Sequence, residues 1–206
     1  MVDPTAHNRA TYDRIALAYA ENRSGQRAGS AHPFAGLHRA FSAVLRPGQV
    51  VADLGCGPGG DAAQIAAQGL RVVGMDLSAG MLDVASGVLP GRLAQADLRA
   101  LPLRPGSLDG IWCSAALLHV PLEDTEAALT GFGRSLRHGG HLALVTALGD
   151  RSGLEVVPYE PTERRWFVYR DAAVLAGQLE AAGFEVLMRE TVTTDRTWLL
   201  VLAQAG

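Results

Sequence analysis

The chain has 206 residues, of which 48% are hydrophobic and 19% charged, with a formal net charge of −3. This length suits one α/β domain with a sizeable core, and the charge gives no overall field that would favour nucleic acid. No uninterrupted apolar run is long enough to span a bilayer, and the N-terminus lacks the basic-then-apolar pattern of a signal peptide. The expectation is a cytoplasmic protein with no nucleic-acid or membrane partner.

Tyr12, Ile15, Ala16 and Tyr19 recur at i, i+3, i+4 and i+7, the stripe of an amphipathic helix. Asn22 to Ala31 is polar and rich in glycine and serine, and reads as a mobile connector. A second helix begins at Pro33, with Phe34, Leu37, Phe41, Val44 and Leu45 on one face, and Arg46-Pro47-Gly48 stops it. A first strand from Val50 breaks into glycines after Leu54, and a helix follows from Asp61 to Gln68, ended by Gly69. Leu70 to Met75 is a second strand ending in Asp76. Ser78 caps the next helix, with Met81, Ala85 and Val88 inward. Leu93 to Ala96 is a third strand ending at Asp97, Leu101 to Gly106 is loop, and Leu108 to Cys113 is the fourth strand.

Pro121 to Arg137 reads as a helix, with Glu123 and Asp124 in its first turn, Arg134 and Arg137 in its last, and Gly139-Gly140 after it. His141 to Thr146 is the fifth strand. Ala147 to Arg170 is an unusually long connection for a compact domain, which often marks function. Asp171 caps a helix with Leu175, Leu179 and Ala182 inward and Gly183 at its end. Phe184 to Val192 and Thr197 to Ala203 form a hairpin. Strand and helix alternate up to that hairpin. The predicted fold class is therefore α/β: a seven-stranded, mostly parallel sheet with an antiparallel last strand and helices on both faces.

The stretch Val50-Val51-Ala52-Asp53-Leu54-Gly55-Cys56-Gly57-Pro58-Gly59-Gly60 organises the rest. Strand, glycine turn and helix open an α/β nucleotide-binding unit. Glycine lets the backbone turn tightly with no Cβ between it and a ligand. Gly55, Gly57 and Gly60 also fit the dinucleotide spacing G-x-G-x-x-G, which keeps an NAD-dependent oxidoreductase open. Asp76, about twenty residues further on, suits paired ribose hydroxyls under either reading, because an ionised carboxylate only accepts hydrogen bonds.

Asp53, two places before the first glycine, makes the pattern D-x-G-x-G-x-G. This resembles motif I of the class I S-adenosylmethionine (SAM) dependent methyltransferases, and the resemblance runs from roughly Tyr12 to Leu202. It implies a Rossmann-like fold in one domain over residues 1–206, with the N-terminal helices of residues 1–46 as a cap. It implies SAM as methyl donor and S-adenosylhomocysteine as product. Gly55, Cys56, Gly57 and Gly59 would form the cofactor loop, and Asp53 would meet the cofactor's cationic amino group or loop N–H groups. Leu77 would flank the adenine, Asp97 would take its amino group, and the Leu98 N–H would reach a ring nitrogen. Met81 and Ser114 would complete the cofactor site. Tyr12 and Tyr19 resemble the Y-D-x-x-A-x-x-Y element that many small-molecule methyltransferases place over the cofactor, although helix spacing alone also makes them core.

Trp112 to Pro121 lacks the N-P-P-Y pattern of enzymes that methylate planar base or glutamine amino groups. Its Leu117-Leu118-His119-Val120 resembles ubiquinone-type and related small-molecule enzymes, and would set His119 near the transferring methyl as the candidate catalytic residue. The expected reaction is methyl transfer to an O, N or C nucleophile of a small-molecule acceptor, by a monomer or homodimer. A SAM-binding protein without transfer activity is the other alternative. Cys56 and Cys113 read as reduced, buried thiols. His138 with His141, and His32 with His38, lack matching ligands, so no metal is expected. Arg164, Arg165, Trp166, Phe167, Tyr169 and Arg170 form a basic-aromatic cluster that can stack on and pair with bases, line a pocket for an anionic or aromatic small molecule as the wall and lid of an acceptor site, or pack over the sheet edge.

Overall fold

The computed structural model describes residues 3–27 and 33–206. Helix α1 spans Pro4–Arg27. Asn22 to Arg27, expected in a connector, therefore continue the helix: the segment has one glycine and no proline, and one glycine costs only about 1 kcal/mol. The rest of that expected connector, and His32, lie outside the described residues. Helix α2 follows at Ala35–Ala43. Val44, expected on its buried face, is its C-cap and is exposed.

Strands β1 (Val50–Leu54), β2 (Arg71–Asp76), β3 (Leu93–Gln95), β4 (Leu108–Ser114) and β5 (Leu136–Ala147) pair in parallel. Strands β6 (Ser152–Val157) and β7 (Glu160–Val168) form a separate antiparallel pair. Strands β8 (Phe184–Thr193) and β9 (Thr197–Ala205) complete the main sheet, whose order is β3-β2-β1-β4-β5-β9-β8. Strand β9 runs antiparallel to both of its neighbours. This is the expected seven-stranded, Rossmann-like sheet with an antiparallel last strand.

Side chains alternate across a strand, and here both faces are covered. Ile111, Cys113, Leu142, Leu144, Val201 and Ala203 face one core, shared with Ala128 and Phe132 of helix α5 (Thr125–Ser135) and with Leu175 and Leu179 of helix α6 (Ala172–Ala181). Trp112, Ala143, Val145, Leu200 and Leu202 face the other, shared with Leu37 and Phe41 of α2 and with Ala62 and Ile65 of helix α3 (Gly60–Ala66). Helix α4 (Ala79–Ala85) starts at Ser78, whose Oγ accepts the Met81 N–H at 3.1 Å, and Asp171 caps α6 by accepting from Ala173 and Val174.

Three expectations are corrected. Helix α5 stops at Ser135, and Leu136 already belongs to β5. Leu136 pairs with Leu108, and Arg137 reaches Asp109 at 2.7 Å instead of ending a helix. Val88 follows α4 and is half-exposed. The long connection from Ala147 to Arg170 is the β6–β7 hairpin, turned at Pro158-Tyr159.

Candidate active site

The strand order reverses between β1 and β4, and open α/β sheets bind ligands outside the carboxyl ends of the strands at such a point. A cavity of about 790 Å³, counted to its open mouth, lies there. Its lining brings together Tyr12, Tyr19, Gly55, Gly57, Asp76, Leu77, Met81, Asp97, Leu98, Ser114 and His119. A second chamber on the other side of Tyr19 is lined by Asp53, Cys56 and Arg23, and shares Tyr19, Gly55, Gly57 and Ser114 with the first.

The glycine loop is built to stay bare. Gly55 (φ 71°) and Gly57 (φ 52°) lie in the left-handed region. A Cβ on Gly55 would meet the Ala116 Cβ at 2.2 Å, whereas one on Gly57 would make only an ordinary contact, 3.8 Å from the Tyr19 ring. Gly59, expected in the cofactor loop's contact surface, faces elsewhere: a Cβ there would meet Val88 at 2.8 Å and Ala85 at 3.3 Å. Its smallness serves the packing of the segment around α4. Cys56 and Cys113 are free, buried thiols, and burial pushes the Cys113 thiol up to about 12.

Asp76 ends β2 and braces the loop. Its Oδ2 accepts the Gly57 N–H at 2.8 Å and its Oδ1 accepts the Ser78 N–H at 2.9 Å. A carboxylate oxygen has two lone pairs, so each oxygen keeps acceptor capacity. Burial raises the carboxyl above its usual range, against the opposing N–H groups of Ser78, Gly57 and Leu77. Asp97 is engaged differently. Arg99 Nη2 donates to its Oδ2 at 2.7 Å, Arg99 Nε to both oxygens, and the Arg99 main-chain N–H to Oδ1 at 2.9 Å. Burial alone would raise the Asp97 carboxyl, but these bonds bring it below the ordinary value. Arg99 also reaches Asp124 at 3.0 Å. Arg99, two residues away, is a partner of Asp97 that the sequence pattern does not announce.

His119 sits on a short 3-10 turn, Leu117–His119, after Ala115, whose φ is 54°. Its Nδ1 lies 2.8 Å from the Trp166 carbonyl, an acceptor, so Nδ1 carries the proton. Nε2 is then the acceptor and takes the Tyr12 hydroxyl at 2.8 Å. Burial, with Arg165, Arg170 and Arg196 nearby, brings the imidazole down to about 3 despite the opposing bond to the Trp166 carbonyl. Burial pushes the Tyr12 phenol up to about 12. His119 is therefore a neutral ring with both nitrogens engaged.

Helix α1 covers the site, and the β6–β7 hairpin backs α1 without itself lining the cavity. In an antiparallel pair alternate residues turn their N–H and C=O outward, and α1 side chains take these groups on the open edge of β7. Asn8 Oδ1 accepts the Trp166 N–H at 2.6 Å, and its Nδ2 donates to the Trp166 carbonyl at 3.0 Å. His7 and Thr11 both meet the Arg164 carbonyl at 2.9 Å. Asp13 Oδ1 accepts from Ser78 Oγ at 2.7 Å and from the Gly80 N–H at 3.0 Å, which docks α1 on α4. Helix α2, expected to share the cap, covers a sheet face instead, with the His38 ring tilted against Trp112 at 4.3 Å. Asn8 was missed in the sequence, although it stands four residues before Tyr12 and so on the same stripe.

A methyltransferase-domain family model matches residues 52–144. The malonyl-[acyl-carrier protein] O-methyltransferase of Erwinia billingiae is 32% identical over 194 residues, covering 89% of this chain and 74% of its own length. Among solved structures, a SAM-dependent methyltransferase from Methanosarcina mazei superposes with a TM-score of 0.72 at 18% identity, over 81% of this chain and 96% of its own. The 1,6-didemethyltoxoflavin-N1-methyltransferase of Burkholderia thailandensis, solved with 1,6-didemethyltoxoflavin and S-adenosylhomocysteine, does so with 0.69 at 20% identity, over 100% of this chain and 92% of its own. None of these comparisons supports an NAD-dependent enzyme or a protein without transfer activity. The D-x-G-x-G-x-G loop, the strand order and these relatives agree that the chain belongs to the SAM-dependent methyltransferases.

Proposed function

We propose that the cavity holds the adenosine half of SAM and the chamber beyond Tyr19 its amino-acid half, with a small-molecule acceptor under α1. Asp76 carries the reading: its carboxylate supports the loop with one lone pair on each oxygen and keeps acceptor capacity for ribose hydroxyls. Leu77, Met81 and Leu98 provide the apolar and main-chain surface for the adenine, and Asp97 its amino partner once Arg99 yields a contact. Asp53, Gly55, Cys56 and Gly57 surround the other end. Gly57 fits a ligand because only the edge of the Tyr19 ring, 3.8 Å from where a Cβ would lie, stands in front of it.

When bound, SAM supplies an activated methyl group. The protein's part is to align the acceptor and exclude water, and orientation of this kind is worth roughly 7–11 kcal/mol of barrier. The acceptor atom is an O, N or C; the similar proteins include both an O- and an N-methyltransferase. Calorimetry with SAM, S-adenosylhomocysteine and NAD tests the assignment. Binding of the first two without NAD is expected, and NAD binding without SAM would reject it.

A further inference from the structure

One layer behind Tyr12 and Tyr19 stands a cation with no acid. Arg165 makes a single long hydrogen bond, from Nη1 to the Tyr12 hydroxyl at 3.4 Å, and its guanidinium lies 4.8 Å from the centre of the Phe167 ring. Its Nε is buried and has no partner. Among the described residues no carboxylate lies within ion-pair distance of it; Arg170 also lacks one but gives Nη2 to the Val120 carbonyl and Thr125, whereas Arg14, Arg99, Arg137, Arg151 and Arg196 each pair with an acid. The Tyr159 hydroxyl is likewise buried and unpartnered. Tyr159 adjoins this cluster, with its ring edge-on to Tyr19 at 6.0 Å. Tyr12 and Tyr19 themselves meet edge-on at 6.0 Å and both line the cavity.

Buried polar atoms are almost always hydrogen-bonded, and each exception points to a missing partner. Here the exceptions are the Nε edge of a guanidinium and a phenol O–H. A guanidinium edge matches a carboxylate bidentately, and a phenol O–H donates to the same group. We propose that Arg165 and Tyr159 form an anion subsite behind Tyr12 and Tyr19 that binds a carboxylate carried by the acceptor. This rests on the reading of the cavity as the donor and acceptor site. The aromatic rings around it give the carbon skeleton of such an acceptor an apolar bed. The uncompensated cation disfavours the free protein and is neutralised only by the ligand, so the subsite selects against uncharged analogues.

The test uses the whole protein saturated with S-adenosylhomocysteine, probed with malonate and benzoate and with their neutral counterparts malonamide and benzamide. Calorimetry should register at least one carboxylate and neither amide. Arg165→Gln should weaken that binding about 10- to 100-fold, the worth of a lost charged hydrogen bond, and Tyr159→Phe should weaken it less. The affinity for S-adenosylhomocysteine should change far less than that for the carboxylate, since Arg165 touches the cavity only through its long bond to Tyr12. Arg165→Met should bind no carboxylate yet unfold at a higher urea concentration than the parent, because an unpaired cation has left a partly buried site. Equal binding of acids and amides, carboxylate affinity unchanged in Arg165→Gln, no carboxylate binding at all, or an Arg165→Met variant less stable than the parent would each overturn the subsite. Failure to bind S-adenosylhomocysteine would instead strike the reading of the cavity itself.

Discussion

The Tyr12 hydroxyl lies 2.8 Å from His119 Nε2, while the Trp166 carbonyl lies 2.8 Å from Nδ1 on the other side of the ring. The carbonyl fixes the tautomer, and the tautomer fixes the direction of the Tyr12 hydrogen bond. The pair carries a stability dependence on pH. His119 titrates near 6.5 when unfolded and near 3 when folded, so between those values the unfolded chain binds the extra proton. Stability is greatest above about 6.5 and falls as pH is lowered toward about 3. Urea unfolding at pH 7.5 and pH 5 should show a smaller loss for His119→Gln than for the parent. An equal loss in both would mean that other groups carry the dependence.

Asn8→Ala removes the side-chain acceptor of the Trp166 N–H and one of the two donors to its carbonyl, leaving His119 Nδ1 on the latter, at a position where Asn8 is buried. Leaving the Trp166 N–H unsatisfied costs about 1–3 kcal/mol, less whatever water recovers. The variant should unfold at lower urea, and the Trp166 amide should exchange its hydrogen faster while the amides of β4 keep their protection. A parental exchange rate at Trp166 would show that Asn8 does not hold the hairpin.

Asp76→Ala should do two things at once. It deletes the acceptor of the Gly57 and Ser78 N–H groups, so loop stability drops by about 0.5–1.5 kcal/mol per bond. It should also weaken SAM binding by ~1.5–3 kcal/mol for each charge-assisted bond lost. Calorimetry and urea unfolding on the same preparation separate the effects, and an unchanged SAM affinity in the folded variant would remove Asp76 from the site.

Gly80→Ala is the probe of the α1–α4 contact. A Cβ there would lie 2.7 Å from the Asp13 carbonyl oxygen and 2.9 Å from its Cα, all of it main chain that cannot rotate away. Helix α1 must shift, opening the Asp13 bonds to Ser78 and Gly80. We expect weaker SAM binding and a more accessible Tyr12, with the far-ultraviolet circular dichroism of the sheet retained. Parental affinity would show that the closure of α1 does not matter to the donor.

Much of this was legible in the chain because the signals are local. Asp53 with the glycines, the caps at Ser78 and Asp171, and the continuous apolar run of β9 each depend on residues close together in the chain. The β6–β7 hairpin was not legible, since the apolar residues Leu154 and Val156 of β6 face outward and only Val157 at its end is buried. Leu136 looked helical because Arg134 and Arg137 resemble the basic last turn of a helix, although Arg137 serves Asp109 on a neighbouring strand. Asn8 and Arg165 gain their meaning from partners more than 150 residues away, which no local pattern contains.

Strand β9 lies between β5 and β8, although it follows both in the chain. As the polypeptide leaves the ribosome, β5 therefore emerges with one hydrogen-bonding edge bare, and that edge stays bare while the hairpin, α6 and β8 are made. Residues Leu142 to Val145, fully apolar in sequence and buried in the finished molecule, wait for the segment from Thr197 onward. A bare apolar edge is a template for pairing with other chains. Ribosome stalling or premature termination shortly before Thr197 should thus release nascent chains that bind chaperones or aggregate, whereas chains that include β9 can close the sheet.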